Sequence, residues 1–209
     1  MRSRESAALS RTRRARREDL IAAAIQVISQ DGYGAASLER IAREAGTSKG
    51  NALYHFSSKE ELYQAVATTL FETGAAYMAE RLRAAGTPAE RLRTYLESNL
   101  RFITLNAAHV GATQRILQNS TTVQVIEVED AAAPLRRLLQ SGQDSGEFGA
   151  FDPEITALSI RAAIDMAAFL FLRHPDLDVE HYISETVALF LRAVQPAPAP
   201  SASASASAP

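Results

Sequence analysis

One feature constrains the fold of this chain more than any other: apolar residues recur at three- and four-residue spacing along most of its length. In the first such segment, Leu20, Ala24, Val27 and Ile28 form one broad apolar stripe, which is typical of an amphipathic helix packed on a core. No two segments alternate apolar and polar residues in a way that predicts paired β-strands. The sequence therefore predicts an all-α fold.

Helix-capping residues divide this pattern into separate helices. Six residues of the types preferred at N-caps stand directly before an apolar-periodic segment: Ser37, Ser48, Ser58, Thr87, Asp152 and Asp178. We expect helices over about 17–31, 38–45, 49–54, 59–84, 88–105, 131–141, 153–173 and 179–194. The pattern is weakest over residues 106–130, where we expect irregular or helical structure.

Charge is distributed unevenly along the chain. Residues 1–17 contain seven arginines and one glutamate, a net charge of +6, whereas the remaining residues carry −8. A basic arm on an acidic body indicates a polyanionic partner at one end of the protein; the alternative is an ordinary solvated charge run. Residues 1–11 of this arm, and the Pro/Ala/Ser-rich tail over 195–209, are expected to be disordered.

Composition excludes several classes of site. The sequence has no cysteine, which excludes disulfides and thiol catalysis, and no two of its four histidines are spaced i,i+4 as a helical metal site requires. We expect neither a metal nor a cofactor. The arginine-rich start lacks the apolar segment of a signal peptide. The most apolar stretch, residues 160–172, contains Arg161 and Asp165 and is shorter than the roughly 20 residues that span a bilayer, so we expect a cytoplasmic protein without a membrane partner.

The first three predicted helices have the proportions of a helix-turn-helix unit, which places its second helix in the DNA major groove. Ala42 supplies the small residue needed where two helices cross, and Gly46 supplies a turn residue that tolerates a positive φ. Four apolar residues are placed to hold the two helices together: Ile41, Ala45, Ala52 and Phe56. The third helix is then expected to expose a short polar face: Ser48, Lys49, Gly50, Asn51, Tyr54 and His55.

The residues around this unit resemble those of a known family. The run Gly-Thr-Ser-Lys-Gly-Asn-Ala-Leu-Tyr-His-Phe-Ser-Ser-Lys, from Gly46 to Lys59, is similar to the recognition segment of TetR-family regulators. The run from Asp31 to Ala42 looks like the family's first loop and second helix, so that the motifs cover about residues 20–66. The resemblance implies a one-component transcriptional regulator that binds a double-stranded DNA operator.

The resemblance also assigns DNA contacts to individual positions. The matched segment implies contacts at Ser37, Thr47, Ser48, Lys49, Gly50, Asn51, Tyr54, His55 and Lys59. The arm adds Arg13, Arg14, Arg16 and Arg17, which we expect to reach the DNA backbone or minor groove. One position departs from the family, which usually has tyrosine where this chain has Leu53; leucine cannot donate a hydrogen bond, and contact with a thymine methyl is its alternative.

Beyond this segment the chain matches the family only in layout. The resemblance implies a helix-turn-helix domain over 12–57 and an effector-binding and dimerisation domain over 58–194, whose last two helices form a homodimer interface. The helices between about 58 and 146 would enclose a small-molecule effector. Nine residues are candidates to line its pocket: Asn99, Phe102, His109, Gln114, Gln118, Asn119, Arg161, Asp165 and Phe169. Each alone is more simply a core or surface residue, and Arg161 with Asp165 is most simply an ion pair.

These features leave three functions to compare. The first is a ligand-responsive repressor that binds a palindromic operator as a dimer and is released by its effector. The second is a structural or partner-controlled DNA-binding protein without a small-molecule sensor. The third is an enzyme, which the sequence disfavours because it has no nucleophile elbow, phosphate-binding loop, dinucleotide fingerprint or His-Glu-x-x-His motif.

Overall fold

The computed structural model describes residues 2–124 and 128–197, with side chains from residue 11 onward except those of 128–130. Within these ranges the chain forms α-helices and no β-strand, which confirms the all-α prediction. The helices are α1 (Arg2–Asp31), α2 (Leu38–Glu44), α3 (Lys49–His55), α4 (Lys59–Leu82), α5 (Pro88–Leu105), α6 (Ala107–Asn119), α7 (Val128–Asp144), α8 (Pro153–Arg173) and α9 (Val179–Ala193).

The predicted caps start these helices. Six side chains accept a hydrogen bond from a backbone N–H of the following turn: Ser37, Ser48, Ser58, Thr87, Asp152 and Asp178. Thr87 and Glu90 form the full capping box. At α4 the box is altered, because the Glu61 carboxylate accepts from the backbone N–H and hydroxyl of Ser57, both at 2.7 Å, rather than from Ser58.

One segment differs from the sequence prediction. The disordered arm predicted over residues 1–11 is wrong from residue 2 onward, because α1 begins at Arg2. Residues 2–31 contain no glycine or proline and are rich in alanine and arginine, which both favour a helix. The weakly patterned segment contains the full helix α6, while its residues 125–127 lie outside the described residues, as does most of the predicted disordered tail.

Buried side chains form two clusters that meet within α4. The first packs α1, α2 and α3 against the N-terminal part of α4 up to Val66, and it includes Ala112 and Ile116 of α6. Within it, the Tyr63 hydroxyl donates to the carbonyl of Ala36 at 2.8 Å, and burial raises the pKa of Tyr63. The boundary between the two clusters therefore lies about two turns into α4, and α6 contributes side chains to both clusters.

The second cluster packs α5, α7, α8 and α9 around the leucines of α5. Helix α8 has 21 residues and is therefore longer than the apolar stretch 160–172 considered from the sequence. By length and composition alone it could cross a membrane. A core helix of a soluble protein passes the same test. One face of α8 is buried against its neighbours, and Arg161 and Asp165 lie near its middle.

Candidate nucleic-acid interface

The joint between α2 and α3 has the geometry that its residues predict. Ala42 is buried where the helices cross, and the N–H of Thr47 donates to its carbonyl at 2.9 Å. Gly46 has a φ of +65°, a conformation that L side chains rarely adopt. Ser48 then caps α3 by accepting from the N–H of Asn51 at 3.1 Å. These contacts fix the orientation of α3 on α2.

Helix α3 has one outward face and one inward face. Lys49, Gly50, Leu53 and Tyr54 share the outward face; Leu53 is 43% exposed and Tyr54 is 70% exposed. Ala52, His55 and Phe56 point into the core. His55 is only 7% exposed, so the prediction that its side chain lies on the exposed face is wrong. The outward face therefore carries the ammonium of Lys49, the apolar side chain of Leu53 and the phenol of Tyr54, together with Gly50.

The burial of His55 changes its chemistry. Its Nδ1 finds no hydrogen-bond partner among the described residues. Burial, followed by the positive charges of Arg13, Arg17 and Arg16, lowers the pKa of His55 below its usual value. The Tyr54 ring packs edge-on against the imidazole at a centroid distance of 5.1 Å. His55 therefore supports α3 from within rather than from its outward face.

Arg17 connects α1 to the end of α3. Its guanidinium donates to the carbonyl of His55, lies 3.9 Å from the centroid of the Phe56 ring and stands 3.4 Å from the Glu61 carboxylate. Glu61 in turn holds Ser57, and the pKa of Glu61 is lowered chiefly by the hydrogen bonds from Ser57. This group, which we call the Arg17 clamp, consists of Arg17, His55, Phe56, Ser57 and Glu61. The Arg17 guanidinium, which the sequence placed in the basic arm, is therefore engaged in contacts within the protein.

The other arm arginines of the matched set remain on the surface of α1. Arg13 lies 5.7 Å from the centroid of the Tyr54 ring, so it stands beside the outward face of α3. Arg14 pairs with Glu18 at 3.0 Å and Arg16 with Asp19 at 3.3 Å, both exposed pairs on the same helix. A cleft of about 360 Å³ runs between α1 and α4 and is lined by Arg13, Arg14, Arg17, Glu18, Ile21, Ala65, Thr68 and Thr69. A basic surface thus adjoins α3.

The remaining predicted contact residues surround α3. Ser37 and Ser48 are exposed caps. The Asn51 amide donates to the hydroxyl of Thr47 at 2.6 Å, so both side chains are already engaged at the turn. The Lys59 ammonium lies 4.8 Å from the Tyr33 ring centroid and 5.0 Å from that of Tyr63.

The predicted pocket residues are spread over α5, α6 and α8. Gln118 and Asn119 are exposed, and the Asn119 amide donates to the carbonyl of Arg115 on its own helix. Asn99 likewise donates to Tyr95. Neither the cleft beside α1 nor a second cleft on α9 is lined by any of the nine candidates. Among the described residues no three His, Asp or Glu side chains are grouped to hold a metal.

Several of these candidates nevertheless join helices. His109 of α6 bonds through Nε2 to the carbonyl of Val66 on α4 at 2.8 Å, and burial lowers its pKa. The Phe102 ring on α5 packs against the Tyr77 ring on α4 at a centroid distance of 5.4 Å. Arg161 reaches the Tyr95 hydroxyl at 3.4 Å and Asp165 at 3.2 Å. The ion pair expected between Arg161 and Asp165 is present.

Two contacts that position α1 and α3 could not be predicted from the sequence. One is the Arg17 clamp, which looks like part of a charge run. The other is Arg115 of α6, whose guanidinium donates to the carbonyls of Ile28 and Ser29 at 2.8 and 3.0 Å, at the C-terminal end of α1. Unpaired carbonyls at a helix end favour a cation. No local pattern in the sequence marks either arginine, because each partner is distant along the chain.

Comparisons with known proteins agree with this geometry. A family model described as "Bacterial regulatory proteins, tetR family" matches residues 20–66. The HTH-type transcriptional regulator RutR of Escherichia coli (strain K12) is 47% identical over 57 residues, which cover 27% of this chain and 27% of RutR. The match thus spans about a quarter of that relative.

Solved structures extend the likeness to most of the chain. A regulatory protein in the tetR family from Rhodococcus RHA1 superposes with a TM-score of 0.75 at 24% identity, covering 88% of this chain and 98% of that one. AibR in complex with isovaleryl coenzyme A and operator DNA superposes with a TM-score of 0.67 at 19% identity, covering 83% and 97%. At these identities the superpositions show a shared fold. The family model and the related sequence therefore identify residues 20–66 as a helix-turn-helix of the TetR-family type, within a chain that shares the fold of a solved tetR-family structure.

Proposed function

We propose that this protein is a transcriptional regulator that binds a palindromic DNA operator through α3. The observation that carries the proposal is the outward face of α3, where Lys49, Leu53 and Tyr54 stand exposed around Gly50 on a rigid helix-turn-helix. A helix presented in this way fits the major groove, in which base edges are read. Arg13, Arg14 and Arg16 on α1 add phosphate contacts beside it. The side chains of His55 and Arg17 act behind this surface.

The proposal includes a homodimer formed through α8 and α9. The two helices leave large apolar side chains exposed in the single chain: Ile155, Met166, Phe169, Leu172 and Leu189. An exposed apolar surface of this kind is typical of an interface. A two-fold dimer would place two copies of α3 in successive major grooves, about 34–36 Å apart. The palindromic operator follows from that symmetry.

We also propose that the protein is a repressor and that a small-molecule effector relieves the repression. Helix α6 supports it, because α6 contributes Ala112 and Ile116 to the N-terminal core while its Arg115 holds the end of α1. A shift of α6 would therefore reach the DNA-binding helices directly. AibR, which shares this fold, has been solved with both isovaleryl coenzyme A and operator DNA bound.

A DNA-binding protein without a sensor is the second candidate, and one observation favours it. The core between α5 and α8 is closely packed, and neither described cleft is lined by a predicted pocket residue. Under either candidate we propose a non-enzymatic, cytoplasmic protein without a cofactor, organised as a DNA-binding domain over about 12–57 and a larger domain over 58–194.

Three measurements test the proposal on the full chain. Selection from a pool of randomised duplexes should enrich a palindrome, and sedimentation of the free protein should give a dimer. A thermal-shift screen of small molecules should then find a compound that raises the melting temperature and weakens operator binding. If the selection enriches no sequence, the proposed function is overturned. An enriched palindrome with no stabilising compound would favour the protein without a sensor.

A further inference from the structure

Leu53 and Gly50 form an apolar contact site on the outward face of α3. Leu53 is 43% exposed although it lies on a structured helix whose Ala52 and His55 are buried. Its neighbours on the outward face, Lys49 and Tyr54, both carry polar groups. A leucine held outward there contributes little to the core and faces whatever binds the helix.

Gly50 leaves the outward face of α3 open beside Leu53. Glycine is unfavourable inside a helix, and here no intramolecular crowding requires it. A Cβ added at Gly50 would meet only the Ser48 hydroxyl, at 3.9 Å, and Gly50 does not have a positive φ. The space next to Gly50 is open on the outward side, one turn before Leu53. A glycine at that point lets a bound surface come against the helix backbone.

We infer that Leu53 is a specificity-determining residue, which reads a thymine by contact with its C5-methyl group. The thymine methyl is the apolar group that base pairs present in the major groove, and leucine has no donor or acceptor for any other base feature. The small surface at Gly50 allows the helix to lie deep enough for this contact, and Lys49 on the preceding turn supplies a donor to the neighbouring base or phosphate. The inference rests on the proposed function, since it requires α3 in the major groove.

The test replaces single thymines of the selected operator with deoxyuridine, which removes the methyl group and keeps every hydrogen-bonding group. Removing one buried methyl predicts a loss of about fourfold in affinity when the thymine of one half-site is replaced, and about fifteenfold when the equivalent thymines of both half-sites are replaced. Binding of the full-length dimer is measured by fluorescence anisotropy for the wild type and for Leu53→Ala, Leu53→Met and Leu105→Ala. Leu105→Ala is the matched control, because Leu105 is also an exposed leucine but lies at the end of α5.

We expect the effect of removing the thymine methyl to depend on the Leu53 side chain. Leu53→Ala should bind the thymine and deoxyuridine operators equally, while Leu53→Met and Leu105→Ala should keep the wild-type discrimination. Circular dichroism should show all variants folded, since both leucines are exposed. If the wild type ignores every deoxyuridine substitution, or if Leu53→Ala discriminates as the wild type does, the inference is overturned while the proposed function stands. Failure to select any operator would overturn both.

Discussion

Replacing Arg17 with alanine should destabilise the N-terminal helices, because it removes the centre of the Arg17 clamp. The charged hydrogen bond to the His55 carbonyl contributes about 1.5–3 kcal/mol. The cation–π contact with Phe56 adds about 0.5–1 kcal/mol. The pair with Glu61 adds little, since both side chains are partly exposed. Because the Arg17 side chain is 35% exposed, we take the lower end and expect a loss of about 2 kcal/mol in the free energy of unfolding.

Urea denaturation monitored by circular dichroism measures this loss. Arg17→Lys keeps the charge but loses the planar fork and the ring contact, so it should recover less than half of it. The matched control is Arg14→Ala, whose side chain is 82% exposed and pairs with Glu18 on the same helix; it should change stability by less than about 0.5 kcal/mol. If Arg17→Ala unfolds within about 0.5 kcal/mol of the wild type, the clamp does not hold α1 to α3.

Three further predictions follow from the same structure. Gly46→Ala should cost about 1 kcal/mol in unfolding free energy because its φ is +65°, and Gly46→Asn should cost less. Gly142→Ala should cost about 1–3 kcal/mol or more, since its Cβ would stand 2.0 Å from the Phe148 ring, whereas Gly34→Ala, with open space around it, should be neutral; equal midpoints would refute the clash. Burial lowers the pKa of His55 and His109 below 6.5. The unfolded chain therefore binds their protons first, and stability should fall as the pH drops through about 6.5 and level off below the folded-state pKa. Replacing both histidines with glutamine should flatten that slope in urea titrations from pH 7.5 to 5.5.

Much of the fold follows from local sequence signals. The caps at Thr87, Asp152 and Asp178 and the turn at Gly46 depend on residues within a few positions, so the sequence predicts them directly. The start of α1 differs from the prediction for a local reason, because a run of arginines resembles a disordered arm although its residues favour a helix.

The candidate site is only partly predictable for a different reason. The family motif identifies α3, but it does not say which side of a seven-residue helix faces the core. His55 is buried because α1 and Arg17 cover it, and that contact joins residues 38 positions apart. The sequence likewise does not say which of the pocket candidates lie together in the fold. Gln118 and Asn119 lie at the exposed C-terminal end of α6, and helical spacing alone does not fix which neighbours a helix meets.

One measurement tests the central claim, that the outward face of α3 reads DNA. Fluorescence-anisotropy titrations should compare the selected operator with a scrambled duplex of equal length at moderate salt, for the wild type, Lys49→Ala and Arg93→Ala. Arg93 is an exposed cation on α5, so its removal controls for charge alone. We predict saturable binding that prefers the operator, a loss of at least about tenfold for Lys49→Ala and no change for Arg93→Ala. Equal affinity for both duplexes, or equal effects of the two substitutions, would contradict the account.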